Sequence, residues 1–333
     1  MLSRLRFAMA FWAVLALVAA CGGALDRETD TEPGDDDGPP DDGTGGGGGA
    51  TTPQQCNQID LVFVIDDSGS MGEEQDNLRA NFPGFISVID DYQTDSGEPL
   101  DYRIAVTTSG RDLHYTVATP EVCVPGIGCV DPPDVESREN GDNGEFKQKC
   151  DMSRRWIERG DADVTDTFSC AARVGTGGPS IEMPLYTTEL ALTERMNDGS
   201  NAGFLRENAL LALVILSDED DCSRTDDDFT VESDSCQPEW PENVPIDHFT
   251  STLDTIKGDR GRWAAAVIAG PGPGSCHSDD FGDALNARRL QQFVTATGTN
   301  AVFSSICQGD LTSALSDALE TFSAACEAFP PVE

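Results

Sequence analysis

The run Val64-Ile65-Asp66-Asp67-Ser68-Gly69-Ser70-Met71 ends a continuous apolar stretch and opens onto a helical pattern. Within it Asp66, Ser68 and Ser70 are spaced D-x-S-x-S. A carboxylate and two small hydroxyls crowded into one turn form a hard-oxygen ligand set, suited to magnesium, manganese or calcium and not to zinc or copper. Helix capping, which Asp and Ser also favour, is the competing reason for such residues at this place. Little else in the sequence carries chemistry. There is no G-x-S-x-G elbow and no H-E-x-x-H, and the three histidines, His114, His248 and His277, lie in unrelated segments. A hydrolase acting through Ser68 or Ser70 would therefore lack a visible base. Zinc is also disfavoured, because no C-x-x-C pair accompanies those histidines. Trp156, Trp240 and Trp263 read as packing residues, and Asp226-Asp227-Asp228 as a solvated loop.

The elements that must position the motif alternate between apolar strands and amphipathic helices, the pattern of a mostly parallel α/β sheet. Leu61–Ile65 and Leu210–Leu216 are nearly unbroken apolar runs, as expected of strands buried on both faces. Tyr102–Thr107, Trp263–Ala269 and Ala301–Ile306 read as further strands, with an edge strand around Arg155–Glu158. Leu78, Phe82, Phe85, Ile86 and Ile89 share one helical face within Glu73–Asp91, where Pro83 should kink the helix. Short helices are predicted over Asp163–Arg173 and Pro184–Met196. Ile246, Phe249, Leu253 and Ile256 mark another, ended by Gly258. Leu290, Phe293, Val294 and Thr297, then Leu311, Leu315, Leu319 and Phe322, mark the last two. Two stretches near 109–171 and 220–242, rich in turn residues and cysteine, read as insertions. In such sheets a ligand binds beyond the C-terminal strand ends, where strand order reverses, and D-x-S-x-S sits at such an end.

On these residues the chain resembles the von Willebrand factor A domain, in which D-x-S-x-S begins a metal-ion-dependent adhesion site. The resemblance implies a Rossmann-like, doubly wound, mostly parallel six-stranded sheet flanked by helices and carrying disulfide-rich insertions. It also implies that Ser68 and Ser70 contact a divalent ion directly and that Asp66 acts through water. A loop threonine and an aspartate after the fourth strand complete such a site. Gly175-Thr176-Gly177-Gly178 offers Thr176, with Ser180 as the alternative, and Leu213-Val214-Ile215-Leu216-Ser217-Asp218 offers Asp218. The family commonly has glycine next. Here it is Glu219, which leaves open whether a further carboxylate lies near the ion. The expected ion is Mg2+, or Mn2+ or Ca2+ in its place.

The ends of the sequence bear on location. Arg4 and Arg6 precede an apolar run, Phe7–Ala20, with the proportions of a signal peptide. Val18-Ala19-Ala20-Cys21 resembles a bacterial lipobox, which implies lipidation of Cys21 and removal of residues 1–20. Residues 21–55, with their Asp clusters and five consecutive glycines, are expected to form a disordered tether to a domain over 56–333. Removing Cys21 from the eleven cysteines leaves an even number, as expected of an exported disulfide framework. Connectivity does not follow from sequence. Pairing neighbours gives Cys123–Cys129, Cys150–Cys170, Cys222–Cys236 and Cys276–Cys307, and leaves Cys56–Cys326 to staple the domain's ends. Glycine rather than aspartate after Cys21 favours the outer membrane by analogy, facing either the periplasm or the outside.

The formal net charge of −39 disfavours nucleic acid and anionic lipid as partners. The resemblance implies a binding module whose ion takes an acidic side chain of a protein or peptide ligand, with membrane contact only through the lipid anchor. An envelope scaffold with a vestigial metal site is the alternative. The sequence argues against an enzyme and is silent on oligomeric state.

Overall fold

The computed structural model describes residues 56–92, 97–233, 236–278, 282–309 and 311–330. The signal segment, Cys21 and the tether lie outside them. The central sheet is built from β1 (Gln58–Ile65), β2 (Asp101–Thr108), β7 (Ile157–Glu158), β8 (Leu210–Leu216), β10 (Trp263–Ala269) and β13 (Ala301–Ser305). Its order is β13-β10-β8-β1-β2-β7, all parallel except the antiparallel edge β7. Chain order runs from β1 to β2 on one side and resumes at β8 on the other. The switch point therefore lies where β1 meets its two neighbours.

Alternate residues of β1 serve two cores, as a pleat with period two requires. Leu61, Phe63 and Ile65 pack against α1 (Gly72–Asp91), α2 (Val164–Ala171) and α7 (Thr312–Glu327). Val62 and Val64 face the layer of α3 (Pro184–Leu192), α5 (Ile246–Lys257) and α6 (Arg288–Thr297). Phe63 meets Phe82, Phe85 and Phe168 edge-on, so truncating it to Ala would cost about 3–5 kcal/mol. The five apolar residues assigned to α1 are all buried. The helix runs unbroken through Pro83, which lies on the exposed face. The helix expected over Pro184–Met196 divides at Thr193 (φ −122°, ψ −77°) into α3 and a short α4 (Glu194–Asn197).

The insertions are more ordered than the sequence suggested. β3 (Leu113–Val117), β6 (Val135–Glu139) and β9 (Asp228–Val231) form a sheet of order β6-β3-β9 that joins the first insertion to the second. A hairpin of β4 (Val122–Val124) and β5 (Gly128–Val130) projects from it, and a second hairpin, β11 (Cys276–Ser278) with β12 (Gly282–Ala284), follows β10. Disulfides join Cys56–Cys326, Cys123–Cys129, Cys150–Cys170, Cys222–Cys236 and Cys276–Cys307. Among the described residues no helix is long and apolar enough to cross a membrane.

Candidate metal centre

Register builds the floor of the site. Ile65 is level with Thr108 of β2 and Leu216 of β8, so the next residues, Asp66, Ser109 and Ser217, leave the sheet side by side. The ladder continues through them, with Asp66 N donating to Leu216 O and Ser109 N to Ile65 O. The Ser217 hydroxyl donates to Asp66 Oδ2 at 2.6 Å and the Ser109 hydroxyl to Oδ1 at 3.3 Å, while Ser68 N donates to Oδ1 at 2.8 Å. Burial pushes the Asp66 carboxyl above its ordinary range and these three donors oppose the rise. Asp66 is not a helix cap: α1 begins after Met71, whose position has no side-chain cap. Ser109 and Ser217 were not singled out from sequence. The only signal for them is a hydroxyl directly after each strand flanking β1, and reading it requires the register.

The hydroxyls come next. Ser68 is buried and Ser70 exposed, with Oγ atoms 3.3 Å apart. Asp218 is buried, and its Oδ1 has no hydrogen-bond donor. Its carboxyl is pushed up to about 7, first by burial and then by the Asp66 charge, with the Ser70 hydroxyl opposing. The capping alternative belongs to a neighbour instead. Asp220 accepts from Arg289 N and Leu290 N at the start of α6.

The Thr176 loop is pinned at two points. Gln75, on the first turn of α1, donates Nε2–H bonds to Asp66 O and Gly175 O and accepts from Gly175 N. Gly178 N donates to Asp67 O at 2.7 Å. A Cβ on Gly178 would lie 2.3 Å from the Asp67 carboxyl, so the approach requires glycine. Thr176 itself is exposed, its methyl 3.8 Å from where a Cβ of Gly72 would stand, at the start of α1. Ser180 points elsewhere. Its hydroxyl donates to Glu139 Oε1 and meets Tyr115 Oη at 3.1 Å, which ties it to the insertion sheet. Of the two loop hydroxyls, Thr176 is the one held beside D-x-S-x-S.

The residues that could hold a metal ion here are Ser68, Ser70 and Asp218, with Thr176 exposed beside them and Asp66 at the floor. The fit to a hard dication is electrostatic as well as chemical. Asp67 and Glu74, both nearly buried, are also pushed up to about 7, chiefly by burial, with the Asp66 charge contributing. Asp67 Oδ1, Glu74 Oε2 and Asp218 Oδ1 lack donors. Crowded carboxylates with orphaned oxygens are what a bound cation would neutralise. The histidines stand against acids: His114 Nδ1 lies 3.3 Å from Asp228, His248 Nε2 2.8 Å from Glu189 and His277 Nδ1 3.0 Å from Asp283. The hydroxyl neighbour of Ser68 Oγ is Ser70 Oγ. Asp226 and Asp227 lie exposed in a loop, as read from sequence, with Asp226 accepting a bidentate pair from Arg224, whereas Asp228 begins β9.

No protein-family model matches the chain, and no curated protein matches it. Among solved structures, proximal thread matrix protein 1 from the mussel byssus aligns over 81% of this chain and 46% of its own, with TM-score 0.36 and 12% identity. The pilus adhesin SpaC from Lactobacillus rhamnosus GG aligns over 83% and 31%, with TM-score 0.39 and 12% identity. The manganese-loaded TRAP protein of Plasmodium vivax aligns over 79% and 74%, with TM-score 0.33 and 11% identity. The chain spans less than half of the mussel and pilus proteins. The architecture described above, a mostly parallel six-stranded sheet between helices, is von Willebrand factor A-like.

Proposed function

We propose that this chain is a binding module of the cell envelope that takes a protein or peptide ligand through a divalent ion at Ser68, Ser70, Thr176 and Asp218, with Asp66 behind them. The observation that supports this best is the convergence at the switch point. Three donors orient Asp66 while the adjacent Asp218 oxygen is left without one. When bound, the ion would supply Lewis acidity and a local positive charge able to accept a partner's carboxylate. That charge acts against a strongly acidic surface, but screening confines distant charges to about 10 Å at physiological salt. The residues of the chain orient the ligands and leave the Ser70 and Thr176 side open to solvent.

Five disulfides suit an oxidising compartment outside the cytoplasm. In the proposed arrangement Cys21 carries the lipid and residues 21–55 the tether, at the outer membrane, after removal of residues 1–20. The insertion sheet touches the metal loop through Ser180, Glu139 and Tyr115, which makes it the candidate determinant of partner choice.

Calorimetric titration of Mg2+, Mn2+ and Ca2+ into the oxidised protein, with Asp66→Ala beside it, tests the site. Saturable binding by the wild type that the variant loses would support a partner screen with and without chelator. A folded, oxidised protein that binds none of the three ions would overturn the reading in favour of a scaffold with a vestigial site.

A further inference from the structure

Buried carboxylates in this protein fall into two groups. In the first, each has a donor that answers its charge. Asp60, fully buried on β1, receives Arg206 Nε at 2.7 Å. Asp221 receives Arg289 Nη2 at 3.1 Å, and Asp220 takes the backbone N–H groups of α6. In the second group are Asp66, Asp67, Glu74, Asp218, Glu182 and Glu219, none of them ion-paired to Lys or Arg among the described residues.

Glu182 is the extreme case. It is 0% exposed, and neither carboxyl oxygen has a hydrogen-bond donor. Its backbone is fixed from both sides: the next residue, Met183, donates its N–H to Ser109 O, and Cys222 N donates to Glu182 O. The residue is thus wedged between the loops that follow β2 and β8, the two strands flanking β1. The charges that its carboxyl meets are Asp66 and Glu219. Glu219 Oε2 is itself buried without a donor. The two carboxyls lie within hydrogen-bond reach of each other and without metal can share a proton; ionised together they offer each other only acceptors, and burying an unanswered charge costs several kcal/mol. With Asp66, Asp67, Glu74 and Asp218 the group carries six formal negative charges. One dication at the Ser68–Ser70–Thr176 site answers two of them.

We propose that Glu182 and Glu219 hold a second hard divalent cation on the buried side of Asp66, separate from the ion at Ser68, Ser70 and Thr176. The charge balance rests on the reading of that first site; the donorless, fully buried Glu182 stands without it. The proposed ligands are carboxylate oxygens, so the ion belongs to the magnesium, manganese and calcium class.

The test is metal content per chain, by equilibrium dialysis against Ca2+ or Mn2+ and elemental analysis, on the oxidised full-length protein. The wild type is expected to hold two ions. Glu182→Gln, isosteric and uncharged, should hold one, and the double variant Ser70→Ala/Thr176→Ala should hold the other one. In chelator, Glu182→Gln should melt no lower than the wild type, because it removes an unanswered charge; this also shows that it folds. Its rise in melting temperature on adding Ca2+ should be roughly half that of the wild type if the two sites are of similar affinity. Equal ion counts in the wild type and Glu182→Gln would overturn the second site and leave the first standing. A single ion that is lost in Glu182→Gln but kept in Ser70→Ala/Thr176→Ala would overturn the first reading and support this one. No ion in any form would overturn both.

Discussion

Replacing Ser217 by Ala probes the floor of the site without touching a proposed ligand. The hydroxyl donates to Asp66 Oδ2 at 2.6 Å, and that acceptor is fully buried. A hydrogen bond to a charged acceptor is worth about 1.5–3 kcal/mol. In chelator burial raises the proton affinity of Asp66, so a bond to its charged form counts for less there than beside a dication. With a dication bound Asp66 must be ionised, so most of the loss falls on the bound state. At about 1.4 kcal/mol per tenfold, Ser217→Ala should weaken Mn2+ binding roughly 10- to 100-fold. Ser109→Ala, which removes a 3.3 Å bond, should cost less. Both variants raise the proton affinity of Asp66, so their deficit should widen as pH falls from 7.5 to 6. Calorimetric titration with Mn2+ at both pH values reads this directly, and thermal melts in chelator separate it from loss of fold. Unchanged Mn2+ affinity in Ser217→Ala, or a larger loss in Ser109→Ala, would refute the argument that Asp66 is oriented through its second oxygen.

Gly178→Ala places a Cβ 2.3 Å from the Asp67 carboxyl in a packed loop; overpacking of this kind costs about 1–3 kcal/mol and should lower metal affinity and melting temperature together, both readable in one melt series with and without Mg2+. In chelator the protein should be most stable near pH 5 and lose stability as pH rises through 7. Asp67, Glu74 and Asp218 are raised to about 7 and Asp220 to about 6, so the native state binds protons that the unfolded chain releases near pH 4. Saturating Mg2+ should flatten that slope, and stability that climbs from pH 5 to 8 in chelator would contradict it. Removing Cys56 and Cys326 together opens a closure spanning 270 residues, worth about 5 kcal/mol of chain entropy, and guanidinium titration should show the midpoint fall. Replacing residues 118–134, the β4–β5 hairpin, with a short linker leaves Ser109, β7 and α2 in place and should weaken partner binding while the Ser68 and Ser70 loop still binds metal; retained partner choice would remove that hairpin from specificity.

The sheet was legible because a strand buried on both faces is written as an unbroken apolar run. Leu210–Leu216 and Trp263–Ala269 have the same bounds in sequence and structure. Gly258 ends α5 at φ 80°, a conformation that its lack of a side chain permits. The insertion strands were not legible. β3, β6 and β9 are short and largely half-exposed, and β3 finds its parallel partner more than a hundred residues away, across the whole first half of the sheet. Nothing local in either segment specifies that pairing. The break at Thr193 likewise leaves no helix-ending residue in the sequence. At the site, the motif named Asp66, Ser68 and Ser70, but the choice between Thr176 and Ser180 stayed open. It turns on Gln75, which reads as one more polar helix residue and is instead buried, with both ends of its amide engaged.

Glu182 shows where reading by residue type stops. The chain has sixty Asp and Glu residues, and as composition they say only that the surface is acidic. What separates them is access to water and to a counter-charge, and neither is written locally. A carboxylate on the surface is solvated, and Asp60 deep in β1 is answered by Arg206, 146 residues away. Glu182 has neither answer, although its neighbours Ile181 and Met183 look like ordinary core. The same geometry that denies it solvent, wedged between the loops after β2 and β8, places it against Asp66. Elsewhere among the described residues a buried carboxylate meets an arginine or a helix N-terminus, and the fold gathers at the switch point the ones that it leaves with neither.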